Sequence, residues 1–225
     1  MSGEFRYAFV KSIPIIASYF FFGASYALLA VSQGISIGLT IAMSFIVYAG
    51  SLQFAAVNVL NSAFDPIGTA LLSLMINARH IFYGMTMLKP YSKLDWKKTP
   101  TIAGLTDETF SVGITIDAPD SLDINWIYFH LTWLNYSYWI IGTVIGITIS
   151  KILTFEITGL EFVPVALFVT LFLEQWLSND DHTPAIIGIV IGIVCRLLFG
   201  SDHFMIPAMI CILSYFLVQY RVKEI

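Results

Sequence analysis

The sequence predicts an all-α, polytopic integral membrane protein of about six to eight helical segments. Three observations carry that reading. Of 225 residues, 57% are hydrophobic and the mean hydropathy is +0.80. Only 12% are charged, about half the share found in an ordinary soluble domain. From Ser12 to Phe64 no Asp, Glu, Lys or Arg occurs, a stretch far longer than the roughly 20 residues one membrane helix needs. A soluble fold of this size could not hide so much apolar surface, so the lipid bilayer is the expected surrounding. The chain reads as one domain, 1–225.

The first apolar stretch divides best at Gly34, among Ser32, Gln33 and Ser36, giving helices at about Ile13–Val31 and Ile37–Leu60. The first is too long, and runs too directly into further apolar sequence, for a cleaved signal peptide. Asn61–Pro66 is the next turn, and Pro66 suits the first turn of a third helix reaching about Leu88. A loop bearing Lys89, Lys93, Lys97 and Lys98 follows. Thr101–Ile116 is apolar apart from Asp107 and Glu108, too short and too charged for an ordinary span. Asp117–Asp123 reads as an acidic loop. Trp126–Ser150 carries no formal charge and opens with aromatic residues, as an interfacial anchor does. Phe162–Leu177 and Pro184–Phe199 are short apolar segments around the polar turn Ser178–Thr183, and Phe204–Tyr220 reads as an extra helix.

The chain also resembles itself. Gly23-Ala-Ser-Tyr aligns with Gly142-Thr-Val-Ile, Asp65-Pro66 with Thr183-Pro184, and Arg79-His-Ile-Phe-Tyr-Gly84 with Arg196-Leu-Leu-Phe-Gly200. The near-constant offset suggests two three-helix repeats, about 12–88 and 126–200, joined by the charged segment at about 101–117. A joining segment that crosses the membrane makes the repeats parallel, and one that does not makes them inverted. Charge leaves the orientation open. Arg6 and Lys11 argue for a cytoplasmic N-terminus, but three full crossings then put the lysine loop outside, against the positive-inside tendency. Either the N-terminus is outside, or the second helix does not fully cross, with Ala49-Gly50-Ser51 as its break.

Composition excludes other classes. The net charge of −4 and the absence of a dense basic run argue against nucleic acid. Cys195 and Cys211 lie in apolar stretches without metal-ligand spacing and read as small buried apolar residues. Nothing in the sequence asks for a cofactor.

Ionisable groups inside membrane segments carry the functional signal, because a charge near the bilayer centre costs about 2.5–3.5 kcal/mol on insertion scales. Arg79 and His80 lie well inside the third helix, with Asn77, His80 and Gly84 on one face and Arg79 and Tyr83 on another. Arg79 either binds a substrate carboxylate with its planar fork or pairs with a buried acid and holds two helices together. Asp107 and Glu108 are the acids best placed for that. Adjacent on a helix, they point about 100° apart and can serve different partners. A buried carboxyl can load and release a proton near neutral pH, as coupling to a proton gradient needs. Alternatively they mark a capped helix end, with Thr106 as N-cap, or a re-entrant tip. Arg196 and Glu174 sit near segment ends and read as interfacial. In Tyr48-Ala-Gly-Ser-Leu-Gln-Phe54, small residues either permit close helix packing or unwind and offer N–H groups to an anionic substrate, with Gln53 as a further polar group. The substrate-binding candidates are therefore Gly50, Ser51, Gln53, Asn77 and Arg79. The proton-coupling or ion-pair candidates are His80, Asp107 and Glu108.

Three stretches, Tyr48-Ala-Gly-Ser-Leu-Gln-Phe-Ala-Ala56, Asn77-Ala-Arg-His-Ile-Phe-Tyr-Gly84 and Gly104-Leu-Thr-Asp-Glu-Thr-Phe110, resemble the AzlC family. With their apolar flanks they cover most of the first half of the chain. The second half matches mainly in hydrophobic outline. The resemblance implies export of branched-chain amino acids or analogues across a bacterial plasma membrane, together with a small AzlD-like membrane subunit. It gives no ground for an ATPase partner.

A secondary transporter is the reading these features favour. A membrane-embedded enzyme using His80, Asp107 and Glu108 is the alternative. It lacks an HExxH-type spacing, a Gly-x-Ser-x-Gly elbow and a Walker loop. A membrane scaffold without transport activity does not explain buried charges at matched places.

Overall fold

The computed structural model describes residues 2–63, 65–152, 159, 162–178, 180–204, 207–208, 210–212, 214–216 and 219. They fall into two compact units, one of Met1–Pro66 with Ile76–Val165, the other of Ile67–Met75 with Ala166–Ile225. Every regular element among the described residues is helical.

The first unit is built on two long helices, α1 (Gly3–Ser32) and α8 (Ile124–Ile152). The Ser2 side chain caps α1 by accepting from the Phe5 N–H at 3.3 Å. At the far end Gly34 takes φ +83°, and the Ile35 N–H returns to the Ala30 carbonyl at 2.9 Å. That six-to-one bond is the Schellman closure that Gly permits, and it sets the turn where the sequence placed it. The two long helices run parallel. Phe5 faces His130, Tyr19 faces Trp139, and Gly146 meets Ala24 and Ala27. Small residues let the backbones touch. A Cβ on Gly23 would lie 2.8 Å from the Trp139 carbonyl oxygen, and one on Gly142 would lie 2.7 Å from that of Tyr19. The repeat-aligned glycines, Gly23 and Gly142, thus sit at one crossing.

Helix two doubles back. It consists of α2 (Ile37–Ile46) and α3 (Gly50–Leu60), folded back at Val47–Ala49. Descending from the C-terminal end of α1, α2 passes Tyr26, whose hydroxyl lies 3.4 Å from the Thr40 carbonyl, and then Thr143, which meets Ser44 at 2.9 Å. At the tip, Tyr48 adopts φ +42° and its ring rests 4.7 Å from that of Tyr136. The return helix α3 climbs past Tyr26, which meets Phe54, to Asn61, whose amide donates to the Gln33 carbonyl at 3.1 Å. Entry and exit are therefore at the same end of α1.

The third helix is not continuous either. It divides into α4 (Pro66–Asn77) and α5 (Arg79–Met87). His80 Nδ1 lies 3.2 Å from the Asn77 carbonyl, occupying the acceptor that Ile81 N–H would use, and Ile81 bonds Ala78 at 3.1 Å instead. A side chain inserted into the ladder is an ordinary cause of a helix break. From Arg79, α5 leads towards the N-terminal end of α1. The lysine segment there forms two short 3-10 turns, Pro90–Lys93 and Asp95–Lys97. Lys97 is buried, with its ammonium 4.3 Å from the Trp126 ring centroid.

A second hairpin follows. α6 (Lys98–Ala103) rises along α8 to Gly104, which packs on Thr132. α7 (Asp107–Ile114) then turns back. Its descent is marked by Thr109 at Asn135, Gly113 at Tyr128 and the Asp117 carbonyl at the Tyr7 hydroxyl (2.7 Å). The segment 101–117 therefore doubles back within the unit. Both hairpins do so, and α1 and α8 run parallel. A link that doubles back is compatible with parallel α1 and α8 because helix two doubles back as well. Lys89–Lys98 and the N-terminus lie at the same end of this unit, because helix two folds back.

In the second unit, α9 (Val163–Ser178) and α10 (Thr183–His203) match the two short segments expected. Trp176 stacks on His182 at 4.0 Å across their turn, and Gly200 breaks α10 with φ +76°. Arg196 is exposed and lies 5.8 Å from the Phe204 ring. Cys195 is buried, but Cys211 is exposed, which corrects the reading of both as buried, and both are free. The expected helix 204–220 lies largely outside the described residues, as does the side chain of Glu174.

Candidate functional site

Both hairpins turn at the height of Tyr19 and Trp139, near the middles of α1 and α8. At 1.5 Å per residue this level is about 18 Å above Tyr7 and about 21 Å below Gln33. Two half-helices therefore aim their N-termini at one level from opposite ends. α3 does so without a side-chain cap, since Ala49 has none to offer, and its first N–H groups have no partner within the helix. α7 is capped by Thr106, whose Oγ1 accepts from the Thr109 N–H at 3.3 Å. Thr106→Ala should remove about 0.5–2 kcal/mol and lower the melting temperature of the purified protein.

Arg79 joins the two tips. Its Nη1 lies 2.7 Å from Asp107 Oδ2, and its Nη2 donates to Ser51 Oγ at 3.1 Å. The side chains are 30% and 16% exposed for Arg79 and Asp107, so the pair is only partly buried. The neighbouring acid serves another partner. Glu108 accepts from the Tyr19 hydroxyl at 2.8 Å. Tyr19 in turn lies 2.5 Å from Thr106 Oγ1, Thr106 Oγ1 is 3.0 Å from Thr109 Oγ1, and Thr109 accepts from Asn135 Nδ2 at 2.9 Å. Asn135 must donate at one end and Tyr19 at the other. The intervening hydroxyls therefore point one way, from Asn135 to Glu108.

The first hairpin has its own relay. Gln53 Nε2 donates to Ser44 Oγ at 3.0 Å, Ser44 meets Thr143 Oγ1 at 2.9 Å, and Thr143 donates to the Trp139 carbonyl at 3.0 Å. Around the tips, six buried polar atoms have no partner among the described residues. The donors are Tyr48 OH, Arg79 Nε and Trp139 Nε1, and the acceptors are Gln53 Oε1, Asp107 Oδ1 and Asn135 Oδ1. Thr101 Oγ1 on α6 is a seventh such atom, and leaving one unmade costs about 1–3 kcal/mol.

The structure thus brings together Gly50, Ser51, Arg79, Asp107 and Glu108, and places Gln53 one turn above. Asn77 contributes a backbone carbonyl to His80. His80 itself turns to that carbonyl and to the Tyr83 ring (5.7 Å), and not to either acid. The grouping of His80, Asp107 and Glu108 as an enzyme centre is therefore not formed. Among the described residues no cluster of three or more His, Cys, Asp or Glu is arranged to hold a metal. Gly50 is needed for a steric reason, since a Cβ there would lie 2.9 Å from the Trp139 ring. Gly50→Ala should displace that indole and lower transport several-fold with the protein still folded, as read by vesicle assay beside a membrane-level blot.

Tyr19, Asn135, Trp139 and Thr143 escaped sequence reading because none carries a formal charge. A signal was present. Thr132, Asn135, Trp139, Thr143 and Gly146 recur at intervals of three and four along α8, and all five are buried.

Comparison with known proteins agrees with the motifs. The family described as "AzlC protein" matches residues 14–153. A Bacillus subtilis protein named branched-chain amino acid transport protein AzlC is 41% identical over 220 residues, covering 98% of this chain and 87% of that protein. A membrane protein of Haemophilus influenzae is 35% identical, covering 90% and 83%. The inner membrane protein YgaZ of Escherichia coli is 26% identical, covering 93% and 88%. No solved structure matches. These relatives are transport and membrane proteins rather than enzymes. With a helical membrane fold and a family match over more than half its length, the chain belongs to the AzlC family.

Proposed function

We propose that this protein is a secondary transporter that exports branched-chain amino acids or close analogues from a bacterial cell. It lies in the plasma membrane as a multi-pass protein with its N-terminus and lysine segment in the cytoplasm, where the positive-inside tendency puts them. A small AzlD-like membrane subunit works with it.

The observation that carries this reading is Arg79, which bridges the tips of two opposed half-helices at mid-height. Discontinuous helices with their positive N-terminal ends at the bilayer centre are how carriers hold a substrate carboxylate. Here the uncapped N–H groups at Gly50 and Ser51 and the guanidinium of Arg79 receive it. The free Oδ1 of Asp107 takes the ammonium group, with Gln53 and Asn135 offering further acceptors. Orphan donors and acceptors side by side around the tips suit a zwitterion. Asn77 holds the helix break that frees Arg79.

Glu108 is the group that couples protons. Its partner is a hydroxyl rather than a cation, so it can take a proton without dismantling the Arg79–Asp107 pair. His80 serves the helix break. Glu108→Gln should leave leucine exchange measurable but abolish its dependence on an imposed pH gradient. Equal gradient dependence in both proteins removes Glu108 from the coupling role.

Reconstitution tests the whole reading. Vesicles holding the chain with its small partner should move labelled leucine, isoleucine or valine, and empty vesicles should not. No movement above the empty control, with the partner present, rejects the proposal.

A further inference from the structure

The two hairpins answer each other residue by residue. Ser51 and Asp107 are 56 positions apart, as are Phe54 and Phe110, while Tyr26 and Tyr83 are 57 apart. Each set occupies the same place in its own half. Tyr26 packs on Phe54 at 5.9 Å, and Tyr83 packs on Phe110 at 4.5 Å. Gln53 and Thr109 each enter a polar relay that ends on α8, through Ser44 in the first case and directly on Asn135 in the second. Ser51 and Asp107 each bind Arg79. The direction is opposite. α3 returns to the C-terminal end of α1 (Asn61 at Gln33), whereas α7 returns to the N-terminal end (Asp117 at Tyr7). A helix followed by a hairpin that folds back from its end thus occurs twice in the first unit, α1 with α2–α3 and α5 with α6–α7, in opposite directions.

We infer that the α2–α3 and α6–α7 hairpins are inverted copies that serve as opposed gates, latched to a single Arg79 through Ser51 and Asp107. Ser51 is thereby a positioning residue, the counterpart of Asp107. Each hairpin separates the central site from the end at which it enters. Arg79 has two terminal nitrogens and holds one tip with each, so both gates are shut in this structure. A carboxylate arriving beside Arg79 competes for one nitrogen and loosens one tip, while the other stays bonded. That is the exclusion alternating access requires, and inverted repeats supply its two equivalent states. The inference rests on the transporter reading and deepens it.

The test needs no substrate, so it can fail separately from that reading. In a background with Cys195 and Cys211 replaced by serine, single cysteines are placed at the corresponding tip positions, Ala49→Cys and Leu105→Cys. A membrane-impermeant maleimide is applied to right-side-out and inverted vesicles. Adding Ser51→Ala should speed labelling at position 49 at least threefold, from the α1 C-terminal side, and leave position 105 unchanged. Adding Asp107→Ala should speed labelling at 105 at least threefold, from the N-terminal side, and leave 49 unchanged. The transplant Ser51→Asp with Asp107→Ser, which keeps an acceptor at each tip, should hold the rate at 105 within about twofold of the parent. The inference is overturned if both changes open the same side, if neither changes labelling, or if the transplant labels like Asp107→Ala alone.

Discussion

Arg79→Ala should lower efflux of branched-chain amino acids at least tenfold at equal expression. Three consequences follow from one truncation. Asp107 is left as a carboxylate without its cation, Ser51 loses its donor, and the candidate carboxylate site loses its fixed charge. Removing one partner of a buried pair costs about 3–5 kcal/mol where both are fully buried. Arg79 is 30% exposed, so the stability loss should fall at or below the lower bound. Lysine is a poor replacement, because a point charge cannot hold Ser51 and Asp107 with separate nitrogens. Asp107→Asn is the milder change to stability, since an amide still accepts from Nη1. Its effect on efflux should nevertheless be comparable, because the ammonium group loses its counter-charge. The measurement is efflux from preloaded cells or vesicles, normalised to membrane-inserted protein. Undiminished efflux in both variants removes these residues from the site.

Gly146→Val should prevent a folded first unit altogether. α1 and α8 touch backbone to backbone, and a Cβ on Gly146 would overlap the Ala24 carbonyl oxygen, with Ala24 Cα at 2.7 Å and Ala27 Cβ at 2.8 Å. These are atoms at or next to the main chain of a 30-residue helix, not the free end of a side chain, so no rotamer change relieves the clash. Overpacking costs about 1–3 kcal/mol where neighbours can shift, and here two rigid helices must separate instead. Because Tyr19 on α1 and Trp139 on α8 flank the hairpin tips, separating the helices also opens the site. Loss of a sharp thermal transition in detergent, or loss of the protein from membranes, is the expected result. Gly192 is the control. It lies on α10 of the other unit, where an added methyl group would meet nothing within 4 Å among the described residues, and Gly192→Ala should be nearly silent.

The contrast between these glycines shows where sequence reading stops. Both lie in apolar helices and look alike in the chain, and only the neighbour decides which is essential. The same holds for the charges. Their depth in the bilayer made Arg79, Asp107 and Glu108 conspicuous, since a buried charge is rarely kept without use. Which acid pairs with the arginine depends on the direction α7 leaves its cap, and that is a tertiary fact. Asn135 and Trp139 carry no charge, and their polar atoms become conspicuous only once burial leaves them without partners.

The sequence by itself determined the solvent, the helical class, the weak point at Ala49–Ser51 and the ends of several helices, though not the start of α1, which lies at Gly3 rather than near Ile13. Each follows from local physics: hydropathy, the freedom of Gly34 and the capping chemistry of Thr106. Tertiary structure alone decided that two segments fold back at mid-height and that their tips meet on one guanidinium. An apolar run looks the same whether it crosses a membrane or returns. The choice is made by packing, through the contacts of Asn61 with Gln33 and of Asp117 with Tyr7, which lie 28 and 110 positions apart in the chain.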